Sequence, residues 1–101
     1  SFYKFIICCE NSKSKGYVTE KIFNILLAKS VPIYDGAPDI ERYVNRERYI
    51  SYENNMIERV KVLMNSEELY KKMANKNEIN ADYNDENFKE KFKNRLKNNE
   101  V

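Results

Sequence analysis

The first third of the chain changes from a strand-like to a helix-like pattern of apolar residues. Residues 2–9, FYKFIICC, are aromatic or β-branched with little polarity, which predicts a strand buried on both faces, as in a parallel sheet. Residues 10–17, ENSKSKGY, are polar and predict a loop. From Thr19 to Lys29 the period becomes helical, with Thr19 as the predicted N-cap. The predicted apolar face carries Ile22, Ile25, Leu26 and Lys29, flanked by Phe23 and Leu27.

Two further strands follow the predicted helix. Residues 31–34, VPIY, predict a short strand, and residues 49–52 predict another. Between them, residues 35–39, DGAPD, have the composition of a turn, and Asp39 is predicted to cap a short helix. This order of strand, helix, strand, helix and strand is typical of βαβ units, which form parallel sheets with right-handed crossovers.

The remainder of the sequence predicts helices. An exposed connector is predicted over residues 75–86, and Ser66 is predicted to cap the second of three helices. These helices are marked by Met56, Val60, Leu63 and Met64, then by Leu69, Tyr70 and Met73, and finally by Phe88, Phe92 and Leu96. The fold prediction is therefore α/β: a single domain over residues 1–101, with a Rossmann-like βαβ parallel sheet in 1–52 and a helical C-terminal tail in 53–101.

Composition excludes several classes of function. The 18 basic and 16 acidic residues give a net charge of +2 and form no basic block, so a nucleic-acid partner is not expected. Histidine is absent, and the two adjacent cysteines, Cys8 and Cys9, are predicted to be buried, so no metal site is expected. No segment approaches the roughly 18 continuous apolar residues of a membrane span, so no membrane contact is expected from this segment.

Lys21 is the residue that points to a ligand. It lies in the predicted first turn of the helix, where the macrodipole disfavours a cation by about 0.3–1 kcal/mol. The preceding loop leaves the C-terminal end of a parallel strand, where open α/β sheets bind ligands. A phosphate bound there would attract the Lys21 ammonium group and so outweigh the unfavourable effect of the macrodipole. The adjacent Glu20 carboxylate could accept hydrogen bonds from sugar hydroxyls. A solvated helix start remains the alternative interpretation, because neither GxGxxG nor a Walker loop is present.

The segment from Cys8 to Tyr43 resembles the donor-binding motif of family 10 glycosyltransferases, the α-1,3/4-fucosyltransferases. The resemblance is close over about the first 50 residues and loose over the rest. The matching positions are Glu10, Asn11, Ser12, Tyr17, Thr19, Glu20, Lys21, Ala28, Pro32, Tyr34, Gly36 and Pro38.

The resemblance implies the C-terminal half of a two-Rossmann-domain glycosyltransferase that binds GDP-fucose. It implies an inverting transfer of fucose to an N-acetylglucosamine hydroxyl of a glycan. By the matching positions, Asn11 and Lys21 would contact the diphosphate, Glu20 would hold ribose or fucose hydroxyls, and Tyr17 would line the nucleotide pocket. No cofactor is required on this interpretation, and a divalent cation is at most a stimulant.

The resemblance also implies that other parts of the enzyme lie outside this sequence. The family's general base is a carboxylate of the N-terminal acceptor domain, which is absent here, so no catalytic residue is assigned and the isolated chain is expected to be inactive. The acceptor glycan would bind through that domain. A eukaryotic parent would reside in the Golgi membrane, and a bacterial or viral one in the cytoplasm or at a membrane.

Two positions depart from the family pattern. Cys9 replaces the usual phenylalanine before the Glu-Asn pair, and Asp35 places an acid near the predicted diphosphate site. Other conspicuous residues have ordinary explanations. A solvated mixed-charge patch is predicted for Arg42, Arg46 and Arg48. Packing beneath the connector is predicted for Tyr43, Tyr49 and Tyr52.

Two alternatives to the fucosyltransferase hypothesis stay open. The chain could be a non-catalytic nucleotide-binding or structural module that retains the fold without the acceptor half. It could also belong to a transferase that uses a different nucleotide sugar. Nucleotide binding without turnover, even with a candidate N-terminal half, would favour the module. Binding of UDP or ADP with no preference for GDP would favour the other transferase.

Overall fold

The computed structural model describes residues 3–80, and the predicted helix around Phe88, Phe92 and Leu96 lies outside them. The described elements, in chain order, are β1 (Phe5–Cys9), α1 (Glu20–Leu27), β2 (Val31–Asp35), two short 3-10 helices (Ile40–Arg42 and Arg46–Arg48), β3 (Ile50–Ser51), α2 (Met56–Met64) and α3 (Glu67–Ala74). Within these residues, no helix combines the length and the apolar character needed to cross a bilayer.

The three strands form one parallel sheet in the order β1-β2-β3. In the register, Phe5 lies beside Val31 and Cys9 beside Asp35, while Ile33 lies beside Ile50. The sheet, with helices that follow its strands, confirms the predicted α/β class. Because the strands are parallel, the C-terminal ends of β1 and β2 meet at one edge of the sheet.

The caps of α1 and α3 confirm the prediction from sequence. The Thr19 hydroxyl accepts from the Lys21 amide at 3.3 Å, and the Ser66 hydroxyl accepts from the Leu69 amide at 3.2 Å. Both bonds satisfy amides that have no partner within the helix itself. Lys29, which was placed on the apolar face of α1, is instead exposed after the helix end, with a left-handed φ of 59°.

Two apolar clusters cover the sheet. One packs α1 against Cys8 and Tyr34 together with Ile40, Val44 and Tyr49. The other joins Val31, Ile33 and Ile50 to Tyr70 and Ala74 of α3. Residues of β2 enter both clusters, so the central strand is buried on both faces and contributes most to the core.

The prediction that the first strand is buried on both faces is wrong. Ile7 is 63% exposed and Ile6 is 40% exposed, and of the two cysteines only Cys8 is buried. The physical reason is the position of β1 at the edge of the described sheet, next to β2 alone. The apolar sequence therefore predicted the strand correctly but did not predict that part of it is exposed.

Four other predictions are wrong, three of them because of tertiary contacts. The Asp39 side chain does not cap the following 3-10 helix; its Oδ1 accepts instead from the Gly16 amide at 2.8 Å. Arg48 is fully buried rather than solvated, whereas Tyr52 is 52% exposed rather than packed. The start of the predicted exposed connector folds back, since the Asn45 amide donates to the Glu78 carbonyl at 2.9 Å.

Candidate functional site

The candidate site lies where β1 and β2 end and α1 begins. The Glu10 amide donates to the Asp35 carbonyl at 2.9 Å, which extends the contact between the two strands by one residue. The loop after Glu10 returns to the sheet edge at Thr19, the N-cap of α1. The local sequence thus brings a helix N-terminus and two strand C-termini to one place, as ligand sites of open α/β sheets require.

Glu10 is the buried centre of this edge. Its side chain is only 3% exposed, and its carboxylate accepts from the Thr19 amide at 2.8 Å and from the Thr19 hydroxyl at 2.6 Å. The Tyr34 hydroxyl donates to the same carboxylate at 3.3 Å. In the sequence, Glu10 is one of the positions that match the family motif, and no role was predicted for it. The available signal was an acid directly after an apolar strand, at a predicted site edge.

Tyr34 and Gly36 complete the packing around Glu10. The Tyr34 hydroxyl accepts from the Ala37 amide at 3.1 Å, and burial raises the pKa of Tyr34 above its ordinary value. A Cβ atom on Gly36 would lie 2.5 Å from Glu10 Cγ and 2.5 Å from the Tyr34 hydroxyl oxygen. Glycine is therefore required here by close approach, because such a distance is a steric clash.

Lys21 is oriented toward the strand end. Its Nζ donates to the carbonyl oxygen of Cys9, the last residue of β1, at 3.4 Å, and the side chain remains exposed. The strand carbonyl supplies partial negative charge, which offsets the unfavourable field of the helix N-terminus. The ammonium group is thus held at the sheet edge and remains accessible to an anion.

The other predicted site residues surround this framework. Asn11 is exposed directly after Glu10, and Glu20 is exposed at the first position of α1. Tyr17, 39% exposed, lies at the end of the loop, next to Gly16, whose φ of +77° and bond to Asp39 fix the turn. All four predicted residues lie within one or two positions of Glu10 or Thr19 along the sequence, and the Lys21 side chain contacts the end of β1.

The helix N-terminus is partly occupied by the chain itself. The Glu10 carboxylate accepts a hydrogen bond from the Thr19 amide, and the Thr19 hydroxyl accepts one from the Lys21 amide. An incoming anion would therefore depend on the side chains at this edge more than the sequence reasoning assumed. Asp35, the acid next to the predicted diphosphate site, forms an ion pair with Lys13 at 3.2 Å, and the hydrogen bond between the two side chains raises the pKa of Lys13.

Two open cavities lie near the ends of the elements. One, of about 250 Å³, is bounded by the segment from Tyr34 to Pro38, by Tyr49, Ser51 and Tyr52, and by Arg46. It opens beside the C-terminal ends of β2 and β3. A larger one, of about 600 Å³, lies between the two 3-10 helices and residues 77–80, away from the strand ends. Within residues 3–80, no His, Cys, Asp or Glu side chains cluster in threes as metal ligands would.

Comparison with known families decides the assignment. The model described as glycosyltransferase family 10 (fucosyltransferase), C-terminal part, matches residues 1–92. The chain belongs to this family. The resemblance noted in the sequence is therefore confirmed, and the match is to the C-terminal part of the family.

Relatives of this family 10 chain carry fucosyltransferase names. It is 38% identical over 80 residues to a protein of Acanthamoeba polyphaga mimivirus named as a fucosyltransferase, covering 74% of this chain and 13% of that protein. It is 31% identical over 86 residues to an alpha-(1,3)-fucosyltransferase of Helicobacter pylori, covering 80% of this chain and 18% of that protein. The chain therefore spans less than a fifth of either relative.

Solved structures agree with the family assignment. An α1,3-fucosyltransferase crystallised with GDP-fucose superposes with a TM-score of 0.75 at 29% identity, over 98% of this chain and 33% of that one. A crystal structure of an α1,3-fucosyltransferase with GDP gives the same values. The whole of the described fold thus corresponds to about one third of a fucosyltransferase.

Proposed function

We propose that this chain is the donor-binding part of an inverting fucosyltransferase that uses GDP-fucose. The observation that carries the proposal is the Lys21 ammonium group, held at the Cys9 carbonyl where α1 begins, in a chain of family 10. The crystal structure of a related enzyme with GDP-fucose supports the choice of donor.

Each predicted site residue has a role in this proposal. Lys21 and Asn11 contact the diphosphate, because an ammonium group and a side-chain amide both donate hydrogen bonds to phosphate oxygens. The Glu20 carboxylate accepts from ribose or fucose hydroxyls. Tyr17 lines the nucleotide pocket with an aromatic face and a hydroxyl.

The proposed chemistry explains why a cation is needed. Negative charge grows on GDP as the bond to fucose breaks, and a fixed positive charge at the diphosphate stabilises that transition state. Lys21 thereby takes the part that a metal ion has in other transferases, and a divalent cation is expected to do no more than stimulate. The acceptor is an N-acetylglucosamine hydroxyl of a glycan, which approaches the opposite face of the sugar in an inverting transfer.

The general base of the proposed reaction is not assigned to this chain. It would be a carboxylate of the acceptor-binding part, which removes the proton of the attacking hydroxyl. The chain alone is therefore expected to bind GDP and GDP-fucose but not to transfer fucose.

Calorimetric titration of nucleotides into the chain tests the proposal. GDP and GDP-fucose should bind in preference to UDP and ADP. Lys21→Ala should weaken GDP binding by about 1–3 kcal/mol, the contribution of a hydrogen bond to a charged group. Lys61→Ala, which removes an exposed cation of α2, is the matched control and should leave the affinity unchanged.

The same titration addresses the two alternatives. Equal binding of GDP, UDP and ADP would contradict the GDP-fucose donor and favour another nucleotide sugar. GDP binding without turnover, after the chain is combined with an acceptor-binding domain of a family member, would favour a non-catalytic module. An unchanged GDP affinity in Lys21→Ala would contradict the proposed site.

A further inference from the structure

The Glu10 carboxylate is buried in a way that needs explanation. Removing a carboxylate from water costs several kcal/mol unless donors replace the lost hydration. At 3% exposure, Glu10 obtains that compensation from the Thr19 amide at 2.8 Å, the Thr19 hydroxyl at 2.6 Å and the Tyr34 hydroxyl at 3.3 Å. Its oxygens are occupied by the protein, so a direct contact with a ligand is not its role.

The hydrogen bonds of Glu10 lead to Lys21. Thr19 donates its hydroxyl hydrogen to Glu10, and the same hydroxyl oxygen accepts from the Lys21 amide at 3.3 Å. Since a hydroxyl has one hydrogen to donate, its bond to Glu10 directs its lone pairs toward the helix. The Lys21 side chain then returns to the Cys9 carbonyl, directly before Glu10.

Glu10 is also fixed from the side of β2. Its amide is bonded to the Asp35 carbonyl at 2.9 Å, and Gly36 leaves the space in which Glu10 Cγ and the Tyr34 hydroxyl lie. A single residue thus connects the end of β1, the end of β2 and the first turn of α1. Since each of these contacts has little room to relax, a change at Glu10 would shift the helix start relative to the sheet edge.

We propose that Glu10 is a positioning residue of the donor site: through Thr19 it holds the first turn of α1, and with it the Lys21 ammonium group, at the place of the diphosphate. This inference rests on the proposed function. It adds that the charge which binds the diphosphate is effective only while the buried carboxylate keeps it in place.

Coupling between two variants tests the proposal. GDP affinity is measured by calorimetry for the chain, for Glu10→Gln, for Lys21→Ala and for the double variant, all at one ionic strength. Glu10→Gln should lower the affinity about five- to tenfold in the parent chain, because the amide removes the charge and gives Thr19 a donor where it had an acceptor. In the Lys21→Ala background the same substitution should lower it less than twofold.

A matched pair at Thr19 keeps the test open if Glu10→Gln does not fold. Thr19→Ser retains the hydroxyl and should bind GDP within twofold of the parent, whereas Thr19→Val keeps the shape, removes the hydroxyl and should lower the affinity about fivefold. Circular dichroism and thermal melts establish the fold of each variant.

The outcomes separate this inference from the proposed function. If the parent chain binds GDP but Glu10→Gln and Thr19→Val bind it equally well, the positioning role is overturned alone. Equal losses for Glu10→Gln in both backgrounds would also overturn it, because a merely structural effect does not depend on Lys21. A parent chain that does not bind GDP overturns the proposed function, and this inference with it.

Discussion

The two ends of α1 are each held by a buried charge, but with opposite consequences. At the N-terminal end, the Glu10 carboxylate accepts from the amide and the hydroxyl of Thr19. At the C-terminal end, the Arg48 guanidinium donates to the carbonyls of Leu26 at 3.2 Å and Ser30 at 3.3 Å. Each charge has the sign that the helix dipole favours at its end.

The difference lies in what each end leaves exposed. Around Glu10, the side chains of Asn11, Glu20 and Lys21 remain exposed. Around Arg48, the chain closes over the helix end, because the second terminal nitrogen of the guanidinium donates to the Lys76 carbonyl at 3.2 Å. A buried charge of the favourable sign thus leaves polar side chains exposed at one end of the helix and closes the structure at the other.

The largest effect is expected from removing the charge that seals the C-terminal end. Arg48→Met should lower the free energy of unfolding by about 3 kcal/mol, because the carbonyls of Leu26 and Ser30 lose this donor and the partly buried Glu78 loses an ion-pair partner. Urea denaturation measures this change. Arg46→Met, at an exposed arginine two residues earlier, is the control and should change stability by less than about 0.5 kcal/mol. Equal effects at both arginines would contradict the comparison.

A smaller loss is expected when the N-terminal end is overpacked. Gly36→Ala places a methyl group against Glu10 and the Tyr34 hydroxyl, so stability should fall by about 1–3 kcal/mol. GDP affinity should fall as well if the N-terminal end is the binding edge. Arg48→Met should bind GDP with the affinity of the parent chain when it is measured without urea, at a temperature at which the variant is folded. If Arg48→Met lost GDP affinity and Gly36→Ala kept it, the ligand would be assigned to the C-terminal end of α1.

Alkaline pH should weaken the N-terminal end selectively. Burial, followed by the charge of Glu10, raises the pKa of Cys8 from 9.0 to about 11, and burial also raises the pKa of Tyr34. The thiol therefore ionises in the unfolded chain before it does in the folded one. Stability is fully present below pH 9 and should decline, by on the order of 1–2 kcal/mol, as the pH rises toward 11.

Denaturation at several pH values measures this decline. Cys8→Ala should reduce the slope between pH 9 and pH 11, whereas Cys9→Ala, at the exposed neighbour, should leave it unchanged. A slope that persists in full without Cys8 would assign the alkaline loss to Tyr34 and Tyr49, whose pKa values burial also raises.

The smallest effect is expected at Lys29, where two terms oppose each other. Lys29→Gly relieves a left-handed backbone at φ 59° but removes the ion pair with Glu78 at 2.9 Å, so stability should change by less than about 0.5 kcal/mol. Lys29→Ala keeps the backbone strain and loses the pair, and should be less stable than Lys29→Gly. The two variants are compared in one urea series.

Local patterns predicted the elements, because they depend on neighbours in sequence. The helical period of α1, the cap at Thr19 and the short strand around Ile50 all follow from adjacent residues, and the structure has them. The order of these elements was sufficient to predict a parallel sheet. The family motif, which lies in the same segment, predicted the family that the comparisons then confirmed.

Burial and pairing between distant residues could not be predicted in this way. Arg48 has acidic and basic neighbours in sequence, and its burial depends on contacts with the distant residues Leu26, Ser30 and Lys76. The role of Glu10 depends on Thr19, nine residues later, and on Tyr34, 24 residues later. Asn11, Tyr17, Glu20 and Lys21 stay predictions as ligand contacts.

The return of residues 76–80 determines where the chain can be shortened for expression. The Lys76 carbonyl accepts from Arg48, the Asn80 amide donates to Tyr43, and Ile79 forms a bridge with Val44. A truncation after Asn75 would keep every helix and strand described here yet strip the 3-10 segments of these bonds. We therefore expect a chain that ends before Asn80 to be less stable than one that includes it.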